Sequence, residues 1–240
     1  MLPPFAAVYF DCDSTLSTIE GVDELLQWAP AALRRDIAAL TEQAMAGLLP
    51  LADVYERRLR QLAPRREQLD RVGELYVAHL VPDALLVVQA LQLLGKHVGI
   101  ISGGLLTPVQ HVAMHLGVPK ENVYAVPLHF DATGAYVDFD RRSPLWRNGG
   151  KIEVVQALPK DHQPLAFVGD GITDAETQGH VACFVGFGGV IARPQVRARA
   201  DVFVTSKSLA GVLPHVLTAS ERTQLAADPR FAPLRLRAEP

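Results

Sequence analysis

Short runs of apolar residues, each followed by glycine or polar residues, recur along this chain. They cover residues 5–10, 97–101, 165–169, 183–186 and 202–204. Runs of this length without polar alternation are typical of strands buried on both faces of a sheet. Helical patterns separate them, at residues 84–94, 108–116 and 151–158. Strands that alternate with helices predict an α/β fold, with an open parallel sheet and helices on both of its faces.

Residues 17–80 break this alternation, because they carry four helical patterns in succession. The patterns cover residues 22–28, 31–45, 51–62 and 66–79, and prolines separate them. We therefore predict a helical cap at residues 17–80, inserted into a catalytic core made of residues 1–16 and 81–218. A smaller excursion at residues 123–150 is expected to contain a β-hairpin. The polar, proline-rich residues 219–240 predict a weakly ordered tail.

The amino-acid composition limits the classes of protein to which this chain can belong. The chain has 240 residues, of which 49% are hydrophobic and 20% charged, so it has enough apolar material for a buried core. Its net charge of −3 does not favour nucleic-acid binding. No run of about 20 apolar residues predicts a membrane span, and the first residues lack the basic segment of a secretory signal. Two cysteines form no disulfide framework, and we expect a soluble, cytoplasmic protein.

Polar groups follow the first three predicted strands. Ligands of open α/β sheets bind at the carboxyl ends of the strands, so these groups are expected to converge. Four carboxylates in one small site require a cation, and such oxygen ligands suit Mg²⁺. The residues that reach this edge, counting the start of the helix before the third strand, are Asp11, Asp13, Ser14, Thr15, Ser102, Gly103, Gly104, Lys151, Asp170, Gly171, Thr173 and Asp174.

A phosphoryl group would account for the remaining chemistry at this edge. Its oxygens need donors, which Ser102, Lys151 and backbone N–H groups near Gly103 can supply. A carboxylate can attack phosphorus and form an aspartyl-phosphate, and Asp11 is the candidate nucleophile. Asp13 lies two residues further on, where it could protonate the departing alkoxide and later deprotonate a water molecule.

The motifs FDCDST, IISGG, GGK and VGDGITD resemble those of haloacid dehalogenase superfamily phosphatases in order and spacing. Within that superfamily, residues 5–217 resemble the phosphoserine phosphatase family, in its eukaryotic-type branch, through FDCDSTLSTIEGVDELL, TEQAMAGLLPLADVYERRL and VGFGGVIARPQV. The resemblance implies a Rossmann-like parallel core with an inserted helical cap. It also implies Mg²⁺-dependent hydrolysis of O-phospho-L-serine to L-serine and phosphate.

The resemblance also implies roles for individual residues. Asp11 matches the nucleophile and Asp13 the general acid and base. The implied metal ligands and their supporting groups are Asp11, Asp13 through its carbonyl, Asp170 and Asp174. The implied substrate-binding residues of the core are Ser102, Gly103, Lys151 and Thr173. Those of the cap are Glu20 for the substrate ammonium, Arg58 for its carboxylate and Met45 for an apolar wall.

Three departures from the family pattern leave the substrate open. Leu51 stands where the family usually has phenylalanine, Ala46 replaces a glycine, and Val126-Pro127 replaces an Asn-Arg pair. The alternatives are a phosphatase for another small phosphomonoester, or a transferase that passes the phosphoryl group to an alcohol. A receiver-like phosphorylation switch is a third alternative, but the helical insertion and Asp13 argue against it. The expected partner is a small phosphomonoester, with no nucleic acid and no membrane, and a homodimer is left open.

Overall fold

The computed structural model describes residues 4–45 and 50–237, and the side chains of 4–40, 50 and 52–234. Within these residues the main sheet has six strands, all parallel, in the order β3-β2-β1-β6-β7-β8. A separate antiparallel hairpin joins β4 to β5. The strands are β1 (Ala7–Phe10), β2 (His97–Leu105), β3 (Val123–Val126), β4 (Leu128–Phe130), β5 (Tyr136–Phe139), β6 (Leu165–Gly169), β7 (Cys183–Phe187) and β8 (Val202–Val204). The predicted α/β class and parallel sheet are confirmed.

The five predicted strands are all present, and β3 is the strand that the sequence analysis missed. The sequence pattern predicts residues 123–126 as the start of the excursion, whereas β3 pairs in parallel with β2 at the sheet edge. A run of four residues followed by Pro127 gives a weak strand pattern, and an edge position tolerates such a strand. The hairpin predicted for the excursion follows immediately, as β4 and β5.

Four helices lie between β1 and β2 in the chain, where the cap was predicted. They are α1 (Gly21–Leu25), α2 (Ala31–Met45), α3 (Leu51–Leu62) and α4 (Arg66–Ala78). Helix α4 packs against α6, and Gly73 permits the contact, since a Cβ there would lie 2.5 Å from Cγ of His111. The remaining α-helices of the described chain are α5 (Ala84–Leu93), α6 (Leu106–Leu116), α7 (Gly150–Ala157), α8 (Ile172–Ala175), α9 (Pro194–Arg197), α10 (Leu213–Val216), α11 (Ala219–Ala226) and α12 (Ala232–Arg237).

The segment after residue 218 corrects the prediction of a weakly ordered tail. It forms α11 and α12, and Leu225, Phe231 and Leu234 are buried in the core. Lys96 Nζ lies 2.5 Å from Glu221 Oε1 and holds α11 against the start of β2. The prolines of this segment are compatible with helices. Pro229 and Pro233 lie in the first turn of a 3₁₀-helix (Pro229–Phe231) and of α12, where a backbone N–H has no acceptor within the helix. No helix among the described residues combines the length and apolar character required to cross a membrane.

Candidate active site

The carboxyl ends of β1 and β6 bring two aspartates together. Asp11 directly follows β1, and its N–H donates to the carbonyl of Val168 at 2.9 Å. Asp170 directly follows β6, which pairs in parallel with β1. Gly169 ends β6 next to a buried carboxyl: a Cβ at this position would lie 2.3 Å from Cγ of Asp174. Glycine at position 169 therefore allows helix α8, which carries Asp174, to pack against the end of β6.

A buried lysine joins two of the carboxylates. Lys151, in the first turn of α7, places Nζ 2.9 Å from Oδ1 of Asp11 and in contact with Oδ1 of Asp174. The second oxygen of Asp174 accepts the N–H of Gly171 at 2.8 Å. Burial alone would lower the pKa of Lys151, but Asp11 and Asp174 outweigh it and raise that pKa above its usual value. The lysine is therefore a fixed positive charge between the two strand ends.

Three carboxylates at this edge can hold a metal ion. One oxygen from each of Asp11, Asp170 and Asp174 lies within 4.8 Å of the others. Asp170 Oδ1 accepts from the hydroxyl of Thr15 at 3.1 Å, while Oδ2 is buried without a hydrogen bond, 3.4 Å from Nη2 of Arg193. Burial, with the charges of Asp174 and Asp11, raises the pKa of Asp170 to about 8. This crowding of negative charge fits an oxygen-ligated cation.

Asp13 has surroundings that differ from those of Asp11. Its Oδ1 accepts from the N–H of Gly21 at 2.8 Å and from the hydroxyl of Tyr76. Burial, with the charges of Glu20 and Asp11, raises the pKa of Asp13 to about 7, so the protonated form is accessible near neutral pH. A carboxyl group of this kind can donate a proton and later take one back.

A cavity of about 400 Å³ opens between these strand ends and the cap helices. Of the residues singled out from the sequence, those that line it are Asp11, Asp13, Glu20, Gly103, Gly104, Arg58, Lys151, Asp170, Gly171 and Thr173. Ser102 and Asp174 lie behind its wall: Ser102 Oγ accepts the N–H of Gly104 at 3.0 Å, and Asp174 is fully buried. The side chains of Met45 and Leu51 fall outside the described residues, as does Ala46.

The cap end of the cavity carries one acid and one base that the sequence predicted. Glu20 Oε1 accepts from the hydroxyl of Ser14 at 2.6 Å and lies 3.7 Å from Nη2 of Arg193. Arg58 Nη2 donates to Oδ1 of Asp23 at 3.2 Å, while its Nε is buried without a hydrogen bond. The two charged groups therefore face the cavity with opposite signs.

Residues 5–177 match the family model of the haloacid dehalogenase-like hydrolases. This chain belongs to the haloacid dehalogenase-like hydrolases. The resemblance inferred from the four motifs is confirmed.

Known proteins refine the comparison. The hydrolase is 38% identical over 201 residues to phosphoserine phosphatase of Bos taurus, which covers 83% of this chain and 88% of that protein. The corresponding protein of Mus musculus is 37% identical over the same length and shares. A solved structure described as a phospho-aspartyl intermediate analogue of phosphoserine phosphatase has a TM-score of 0.74 and 22% identity, and covers 90% of this chain and 100% of that one. The similarity to this solved structure shows a shared fold only.

Four residues of the hydrolase contribute to the site although the sequence analysis gave them no role in it. Arg193 lies beside Asp170 and Glu20, Tyr76 bonds Asp13, and Tyr55 and Trp146 line the cavity. Tyr55 and Tyr76 reach the site because the cap helices α3 and α4 pack over it, and Trp146 reaches it from the segment before α7. Two of the four had a signal: Arg193 lies in the stretch VGFGGVIARPQV, which begins in β7, and Tyr55 lies in TEQAMAGLLPLADVYERRL, both quoted for the family resemblance.

Proposed function

We propose that this hydrolase removes the phosphoryl group of O-phospho-L-serine, giving L-serine and phosphate, with Mg²⁺ as its metal ion. One observation carries the proposal. A single cavity has a carboxylate cluster with Lys151 at one end, and Glu20 and Arg58 at the other. Phosphoserine has the matching charges: a phosphoryl group at one end, an ammonium and a carboxylate at the other. The mammalian relatives that bear the name phosphoserine phosphatase support the same substrate.

The donor set fits Mg²⁺, because it consists of oxygens, and two of its carboxylate oxygens, Asp11 Oδ1 and Asp170 Oδ2, are buried with no hydrogen bond. Asp11, Asp170 and the carbonyl of Asp13 would hold the ion, with Asp174 as support. When bound, it would offset the negative charge of the carboxylates and of the phosphoryl oxygens.

The residues of the chain carry out the steps. Asp11 attacks phosphorus, so that a bond forms between its oxygen and phosphorus while the bond from phosphorus to the serine oxygen breaks. Asp13 gives its proton to that serine oxygen, and its raised pKa favours this role. Lys151 and Gly103 line the cavity and hold the phosphoryl oxygens through Nζ and the backbone N–H. Ser102 stays in the proposal as a further donor, which requires its hydroxyl to turn from the N–H of Gly104 into the cavity. Water, deprotonated by Asp13, then attacks phosphorus, and the bond to Asp11 breaks with release of phosphate.

The cap residues select the amino acid. Glu20 receives the ammonium, since a carboxylate is the natural partner for that charge. Arg58 receives the carboxylate, because a guanidinium can donate two parallel hydrogen bonds to it. Thr173 lines the same cavity and contributes to substrate binding. Met45 remains part of this proposal as an apolar wall.

The cellular setting is part of the same proposal. A net charge of −3 and two buried thiols, Cys12 and Cys183, are consistent with a cytoplasmic enzyme that has no nucleic-acid or membrane partner. Sedimentation analysis of the purified chain would decide between a monomer and a homodimer.

The test is phosphate release from a panel of esters after metal removal, with and without added Mg²⁺. O-phospho-L-serine should have the highest kcat/KM, and activity should return only with a divalent cation. Phosphoethanolamine lacks the carboxylate, and 3-phosphoglycerate lacks the ammonium, so each should be a poorer substrate. A better substrate without the ammonium would overturn the proposal and favour another small phosphomonoester. Transfer of phosphate to added alcohols in preference to water would favour a phosphotransferase.

A further inference from the structure

Four buried polar atoms of the described residues have no hydrogen bond, and all four belong to residues that line the active-site cavity. They are Asp11 Oδ1, the Tyr55 hydroxyl, Arg58 Nε and Asp170 Oδ2. The two aspartate atoms lie at the metal end, where each has an ion-pair partner. The other two belong to the cap. Buried polar groups are normally hydrogen-bonded, so unpaired ones in a cavity indicate where a ligand supplies the partner.

Tyr55 and Arg58 lie three residues apart on α3 and therefore share one face of the helix. The ring of Tyr55 is held by an edge-on contact with Phe139, at 5.6 Å between centroids and 70° between planes. Phe139 is buried and packs in the same way against Trp146, at 5.4 Å and 64°. This row of three rings holds the phenol group in place beside the cavity that Tyr55 lines, and its hydroxyl is buried there without a partner from the protein.

The hydroxyl of Tyr55 is a hydrogen-bond donor at all physiological pH values. Burial and the charge of Asp13 raise its pKa well above the usual value, and the opposing effect of Arg58 is smaller. Arg58 Nε is also a donor and has no acceptor. Two donors on one face of α3 suit an acceptor with two oxygens. A carboxylate meets this need, and Glu20 is the separate acceptor available for an ammonium.

We propose that the Tyr55 hydroxyl donates a hydrogen bond to the substrate carboxylate beside Arg58, which makes Tyr55 a specificity-determining residue. This inference rests on the proposed function, because it names the group that the cap end recognises. It assigns to Tyr55 a polar contact with the substrate at the cap end of the cavity.

The first test is Tyr55→Phe, which removes only the hydroxyl and keeps the aromatic row. A hydrogen bond to a charged group contributes roughly ten- to hundredfold in affinity, so KM for O-phospho-L-serine should rise about tenfold or more with little change in kcat. The preference for phosphoserine over phosphoethanolamine, as a ratio of kcat/KM values, should fall by a similar factor. Tyr124→Phe is the matched control, since Tyr124 is a partly buried tyrosine outside this cavity.

A second readout separates binding from a structural role. Removing a buried hydroxyl that has no partner should leave the midpoint of urea unfolding, without substrate, unchanged or higher. A lower midpoint together with equal losses for phosphoserine and phosphoethanolamine would mean that the hydroxyl supports packing, and the inference would be wrong.

A binding experiment keeps this inference distinct from the proposed function. In an Asp11→Asn background, calorimetry would compare O-phospho-L-serine, 3-phosphoglycerate and phosphoethanolamine, with and without Tyr55→Phe. If Tyr55→Phe weakens the binding of O-phospho-L-serine and 3-phosphoglycerate but not of phosphoethanolamine, the assignment is supported. This holds even if turnover shows that phosphoserine is not the preferred substrate. If the affinity for each of the three esters is the same with and without Tyr55→Phe, the assignment is overturned, whatever the turnover results.

Discussion

The two ends of the active-site cavity are built differently. At the core end, the side chains of Lys151 and Asp174 are 4% and 0% exposed and contact each other directly. At the cap end, the side chains of Glu20 and Arg58 are 40% and 19% exposed. The core end is therefore tied together by direct contacts within the protein, whereas the cap end has donors, on Tyr55 and Arg58, without a partner among the described residues. Under the proposed function, chemistry depends on the first end and selectivity on the second.

The backbone explains this difference. Strand β1 has hydrogen-bonded parallel neighbours on both sides, β2 and β6, so the residue that follows it is held rigidly. Of the cap groups, Glu20 directly precedes α1 and Arg58 lies on α3, so neither follows a strand of the sheet. Helix α4 of the cap is tied to the core at one end through the N–H of Arg66, which donates to the carbonyl of Gly134 at 3.0 Å. At the other end, Tyr76 bonds Asp13.

The largest effect is expected at the core end, from Asp11→Asn. The amide keeps the shape of the side chain but cannot form the phosphoryl intermediate, and loss of a nucleophile costs on the order of 10⁶-fold in kcat. Phosphate release under saturating substrate measures the change. Asp161→Asn, an exposed carboxylate away from the cavity, is the control. If Asp11→Asn kept more than about a hundredth of the activity, the core end would not supply the nucleophile.

A smaller effect, confined to binding, is expected at the cap end from Arg58→Ala. Loss of a charged hydrogen-bonding partner should raise KM for O-phospho-L-serine by roughly 10- to 100-fold while kcat changes little. Arg58→Lys should recover only part of this, because an ammonium cannot donate two parallel hydrogen bonds. Arg57→Ala removes an exposed arginine from the same helix and is the matched control. Equal losses in kcat and in kcat/KM for Arg58→Ala would contradict the division between the two ends.

A third effect is a dependence of stability on pH in metal-free protein. In the folded state the pKa values of Asp170 and Asp174 are raised to about 8 and about 7, mainly by burial, from an ordinary value of 3.8. The folded state thus holds protons that the unfolded chain releases, and the free energy of unfolding should fall as pH rises from about 4 to 8. The slope is at most about 1.4 kcal/mol per pH unit for each proton.

Urea unfolding at several pH values, after chelation, measures this slope. Asp170→Asn should flatten it, and Asp161→Asn should not. Added Mg²⁺ should restore stability at pH 8, since it binds the ionised carboxylates. A flat profile for the metal-free protein would show that the folded core end does not raise the pKa values of these carboxyls.

Most of the core could be predicted from the sequence. The apolar runs identified five of the six strands, and residues placed just after them, such as Asp11 and Asp170, do meet at one edge. Prediction failed where the pattern was short or the composition misleading. Strand β3 is four residues long, and the prolines after residue 218 concealed two helices whose Leu225 and Leu234 are buried.

The sequence by itself determined the parallel α/β fold, the family and the acidic strand ends. These follow from patterns within a few residues of one another, because a buried strand and the groups at its end are encoded locally. Only the tertiary structure decided which side chains complete the cavity. Tyr55, Tyr76 and Arg193 reach it from elements far apart in the chain, so their directions depend on how helices pack on one another and on the sheet. A local sequence pattern does not predict that packing.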